Sequence, residues 1–194
     1  MSTPAVTSHP HATANQPEDE AVSLRRLYYG RFAFAVVWAG LLAATASSLG
    51  PASVTLLLVY PLFDAAAAVF DLRSAAARQR VPLLVNLALS LLTVAGLAVA
   101  ATSGIPDVLR VWGAWAITAG IVQLVVAIRR QRLGGQLAMI LSGGISVLAG
   151  AGFVLMADGP DASLTGLAGY ATLGGIFFLV SAIRLHRAAV QADR

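Results

Sequence analysis

The 194-residue chain has neither cysteine nor lysine, and only 11% of it is charged. Without cysteine there is no disulfide framework, no thiolate metal site and no thiol nucleophile. A soluble domain is about a quarter charged and under half apolar. Here 58% of the residues are hydrophobic, so composition excludes a soluble domain. The chain also lacks a G-x-S-x-G elbow, an H-E-x-x-H helix, a phosphate-binding loop and a dinucleotide fingerprint. The expectation is therefore a non-enzymatic protein with no cofactor and no metal site. The net charge of +4 comes from thirteen arginines against nine acids. Those arginines stand at the ends of apolar blocks and not along one soluble face, which argues against a nucleic-acid partner.

Six apolar blocks are present, approximately Phe32–Leu49, Ala52–Leu72, Val81–Ala101, Val108–Ile128, Gln136–Met156 and Thr165–Ile183. Each is close to the roughly 20 residues that cross a hydrocarbon core. They are continuously apolar, with no alternation of polar residues, so helices are expected and barrel strands are not. The fold class is all-α integral membrane, with a membrane domain over residues 23–188. Residues 1–22, rich in Ser, Thr, Pro, Ala and His, read as a disordered tail, and 189–194 as a short C-terminal tail. His9 and His11 flank Pro10 in the first of these and read as solvated, not as a metal pair.

Loop charge sets the expected orientation. Arg25, Arg26 and Arg31 precede the first block, and Arg73, Arg78 and Arg80 lie between the second and third. Arg129, Arg130 and Arg132 lie between the fourth and fifth, and Arg184, Arg187 and Arg194 follow the sixth. Twelve of thirteen arginines thus fall on one side, and only Arg110 on the other. The positive-inside rule then places both termini in the cytoplasm. The expected partner is the bilayer itself, with anionic inner-leaflet lipids favoured by the arginine clusters, and a homo-oligomer is left open. Trp112 and Trp115, near the start of the fourth block, and Tyr28 and Tyr29 before the first, read as interfacial anchors.

The blocks also repeat. D-L-R at 71–73 aligns with A-I-R at 127–129 and 182–184, while W-A-G-L at 38–41 aligns with V-A-G-L at 94–97 and L-A-G-A at 148–151. From the glycine to the closing arginine the offset is 33, 33 and 34 residues, counted from 40 to 73, 96 to 129 and 150 to 184. Three tandem two-helix units are expected, over about 30–80, 81–135 and 136–188, all pointing the same way across the membrane. With G-I-V-Q-L-V-V-A-I-R at 120–129 and G-I-F-F-L-V-S-A-I-R at 175–184, the chain resembles the HdeD-like small membrane proteins over roughly residues 30–188. The resemblance implies a six-helix inner-membrane protein without an established molecular activity, linked through its eponymous member to acid stress.

One polar residue interrupts this pattern. Nine residues before each closing arginine stand Asp64, Gly120 and Gly175; thirteen before stand Tyr60, Ala116 and Ala171. Small residues at that spacing mark a face where helices approach closely, so Asp64 is expected to face the bundle interior. An aspartate there costs about 2.5–3.5 kcal/mol on insertion scales. It lies roughly 13 Å along the helix from Arg73, and so needs protonation, a hydrogen-bond partner or a water-filled cavity. Asn86 and Gln123 are the candidate partners, with Ser142 and Ser146 in the same half. Asp71, seven residues on, is expected to pair with an arginine or water near the headgroups. Two readings of Asp64 follow: a proton-sensing or ion-binding site of a small transporter or channel, or a structural aspartate locking two helices. A membrane scaffold is a further alternative, for which no binding motif is visible.

Overall fold

A computed structural model describes residues 16–74, 80–129 and 137–192. Those residues form six helices: α1 Gln16–Thr45, α2 Pro51–Ser74, α3 Arg80–Ala100, α4 Ile105–Arg129, α5 Leu137–Met156 and α6 Thr165–Ala192. All six are long and apolar enough to cross a membrane. Large aliphatic side chains such as Val37, Leu92, Leu148 and Leu155 point outward, each more than 60% exposed. That surface is stable only against lipid.

Two boundaries differ from the sequence reading. Helix α1 starts at Gln16, so residues 16–22 belong to it and not to a tail, and α6 continues to Ala192 through 189–192. Their compositions had suggested coil, but the acids of E-D-E-A-V suit a helix N-terminus and the alanines and glutamine of A-A-V-Q-A are good helix formers, so each extends a helix already formed. Pro17 stands in the first turn, where its missing N–H costs nothing. Residues 1–15, with His9 and His11, lie outside the described residues, as do Arg78, Arg130, Arg132 and Arg194. The span within α1 runs Arg25–Thr45, which puts Arg31 inside it and not ahead of it.

Each helix packs against its chain neighbours and α6 returns to α1, so the six close a ring. The contacts alternate: α2–α3, α4–α5 and α6–α1 are extensive, whereas α1–α2, α3–α4 and α5–α6 are thinner. The α4–α5 contact is the widest because glycines face each other. A methyl placed on Gly113 or Gly150 would lie 2.6 Å from the other's carbonyl oxygen, and one on Gly120 would lie 2.7 Å from that of Gly143. On α6, a methyl at Gly175 would meet Ala35 of α1 at 3.1 Å.

The core is not centred. Trp38, Leu42, Leu57, Leu97, Val108, Leu109, Trp112, Leu164 and Leu167 are all at most 2% exposed. Each lies toward the end of the bundle that holds the short connectors 46–50, 101–104 and 157–164. The opposite end carries Arg25, Arg26, Arg73, Arg80, Arg129, Arg184 and Arg187. Asp64 sits between this dense core and the arginine end.

Candidate functional site

Asp64 lies one turn beyond Tyr60 on α2 and faces α3 and α1 together. Its Oδ2 accepts hydrogen bonds from Asn86 Nδ2 at 2.7 Å and Ser90 Oγ at 2.8 Å. Its Oδ1 accepts from Arg31 Nη1 of α1 at 3.3 Å. The second arm of the same guanidinium, Nη2, is 3.8 Å from Asp71 Oδ2. Arg31 and Asp64 are only 14% and 19% exposed, so the pair is largely removed from solvent. On its other side the guanidinium lies over the Phe178 ring of α6, 5.0 Å from the centroid. Its Nε is buried with no hydrogen-bond partner among the described residues. Both oxygens of the Asp64 carboxylate are therefore engaged by donors from two other helices. The arrangement can hold a charge inside the membrane. Among the described residues, no group of three or more His, Cys, Asp or Glu is placed to hold a metal ion.

Toward the core, the site is floored by aromatic rings. Tyr60 meets Trp38 edge-on at 4.5 Å, Trp112 at 5.6 Å and Trp115 at 6.1 Å. Trp38 stacks on Trp112 at 5.5 Å, and Trp112 meets Trp115 at right angles at 5.4 Å. These separations are direct ring contacts, so the cluster is solid and not a hollow cage. Trp112 and Trp115 are thus core residues, 0% and 8% exposed, and not the interfacial anchors their position in the sequence suggested. The aromatic faces of α1 and α2 offer more contact area there than headgroups would. Trp38 Nε1 donates to the Leu56 carbonyl at 2.6 Å. Pro61, inside α2, leaves the next carbonyl, that of Leu57, without its usual helical donor.

Of the residues singled out from the sequence, Asn86 and Asp71 join Asp64 in one network, and Tyr60 adjoins it. Gln123 makes no hydrogen bond to Asp64; its helix, α4, reaches the site through Trp112 and Trp115 instead. Ser146 accepts instead from Tyr170 of α6 at 3.0 Å. Gly120 and Gly175, which the sequence alignment sets beside Asp64, each face the next odd-numbered helix, as Asp64 does. Two members of the network were missed: Arg31 and Ser90. Ser90 had a signal, since N-L-A-L-S puts it four residues after Asn86 on one helical face. Arg31 reads in the sequence as one of three arginines ahead of the first apolar block, which opens at Phe32.

Two further polar contacts lie at the bundle ends. Arg110, the single arginine at the connector end, binds Asp107 of its own helix and Asp158 of the α5–α6 connector. At the other end Arg25 Nη1 donates to His186 Nδ1 at 3.1 Å. A guanidinium only donates, so Nδ1 of His186 is the acceptor of that contact. No family model, no curated protein and no solved structure matches this chain.

Proposed function

We propose that the chain is a non-enzymatic, multi-pass membrane protein in which Asp64 is a structural clasp tying α1, α2 and α3 together. The observation that carries this reading is the saturation of both carboxylate oxygens by Asn86, Ser90 and Arg31 at 2.7, 2.8 and 3.3 Å. The bundle consists of three tandem two-helix repeats with both termini in the cytoplasm of an inner membrane. The alternation of extensive and thinner helix contacts around the ring supports the repeats. The gathering of arginines at one end supports the orientation. On its resemblance to HdeD-like proteins, we place the chain among envelope or acid-stress proteins, in contact with anionic lipids.

A proton- or ion-coupled transporter using Asp64 is the second reading. It draws on the 19% of the Asp64 side chain that stays exposed. It is placed second because Trp38, Leu42, Leu57 and Trp112, each at most 2% exposed, fill the route from the site to the connector end. Proton flux into proteoliposomes separates the two. Wild type and Asp64→Asn are expected to leak equally, with the variant less stable to heat. A wild-type flux that Asp64→Asn abolishes would establish transport instead.

A further inference from the structure

The ring divides into three closely packed pairs, α6–α1, α2–α3 and α4–α5, joined by thinner seams. Among the described residues, the ion pairs across the α1–α2 seam near the arginine end are made by Arg31, to Asp64 at 3.3 Å and Asp71 at 3.8 Å. The other contacts of each partner stay within its own pair. Arg31 rests on Phe178 of α6, and Asp64 is held by Asn86 and Ser90 of α3. The ion pair is therefore the junction between two units that each hold together without it. Farther toward the connector end, the seam is pinned by other means. Phe34 stacks on Phe63 at 3.8 Å, the Trp38 indole binds the Leu56 carbonyl, and connector 46–50 joins the two helices. Neither Gly30 nor Gly40 of α1 makes a close approach across the seam, since a methyl on either would meet nothing within 4 Å.

We propose that Arg31 is a latch: when it releases Asp64, the α6–α1 pair swings away from the α2–α3 pair at the arginine end, hinged near Trp38 and Leu56. The inference rests on the clasp reading and adds a direction of motion to it. Release costs Arg31 its carboxylate partners but leaves each charge a partial replacement. Asp64 keeps its two donors on α3, and Arg31 keeps Phe178 and is long enough to reach the interface. The swing uncovers Asp64 from the arginine end, while the Phe34–Phe63 stack and the aromatic floor keep Tyr60 and the connector end closed.

The absence of native cysteine allows spin labels to be placed without background. One pair, Gly30→Cys with Ala66→Cys, spans the seam; a second, Ile128→Cys with Leu141→Cys, lies within the α4–α5 pair. Distances are measured in lipid nanodiscs. Arg31→Gln and, separately, Asp64→Asn are expected to add a longer-distance population to the seam pair alone, and Arg31→Lys to restore most of the short one. If Arg31→Gln does not fold, Asp64→Asn, which keeps its α3 contacts, reads the same seam. Lower heat stability with unchanged seam distances would leave the clasp standing and overturn the latch, as would broadening of both label pairs together. No change in either stability or distance would overturn both.

Discussion

A carboxylate persists in a membrane-spanning helix only where its surroundings replace water, and Asp64 has three donors from two other helices to do so. The donors are not equal. Hydrogen bonds between membrane helices average about 0.6 kcal/mol, so Ser90→Ala should lower stability by roughly that amount, with Asn86 still in place. Asp64→Ala strips Arg31 of its nearer partner and leaves Asn86 and Ser90 without an acceptor. Breaking a buried pair costs about 3–5 kcal/mol; with both side chains still partly exposed, a loss near the lower end is expected. Denaturant unfolding of the two variants in detergent should preserve this order, and equal losses would contradict the assigned roles. The acid and its need of a partner were legible in the sequence, because one aspartate within an apolar run stands out. The partner was not. Arg31 lies 33 residues away on another helix, and its distance from Asp64 depends on how α1 is rotated.

At the scale of the helices, glycine placement separates positions that look alike in the sequence. Gly150 and Gly144 both lie in α5, in a run of small residues. A methyl on Gly150 would meet the Gly113 carbonyl oxygen at 2.6 Å and Ile117 Cγ1 at 2.8 Å, whereas one on Gly144 would meet nothing within 4 Å. Gly150→Ala should therefore destabilise by about 1–3 kcal/mol, the usual cost of overpacking. Gly144→Ala should be neutral or gain up to about 1 kcal/mol from helix propensity. Thermal melts of the two variants check the contrast, and a stable Gly150→Ala protein would mean that the two backbones are not in contact. Gly104 differs again: its φ of 121° lies where a side chain is strained, so Gly104→Ala should destabilise the α3–α4 turn despite the space around it. That small residues mark close approach was readable from spacing. Which glycines touch was not, because the spacing leaves the facing helix unspecified. The tryptophans make the same point. Trp112 and Trp115 stand where anchors usually stand, and only the nearness of Trp38 and Tyr60 turns them inward.

For the whole molecule, the arginines at one end and Arg110 at the other give an expectation that does not depend on any contact. Reporter fusions at both termini should report the cytoplasm, and fusions in connectors 46–50 and 101–104 the opposite side. A periplasmic signal from the C-terminus would refute that orientation. Residues read singly determined much of this architecture. Six runs of lipid-compatible side chains and the placement of cations are each set by the surrounding bilayer, which acts on every residue by its depth. The tertiary structure alone decided which helix meets which. The ring closes through α6 and α1, at opposite ends of the described chain, and the extensive contacts join each even helix to the next odd one. These pairings depend on the rotation of each helix about its axis, a property shared between distant segments and written in neither one. That rotation is why Asp64 meets Arg31 and not Gln123.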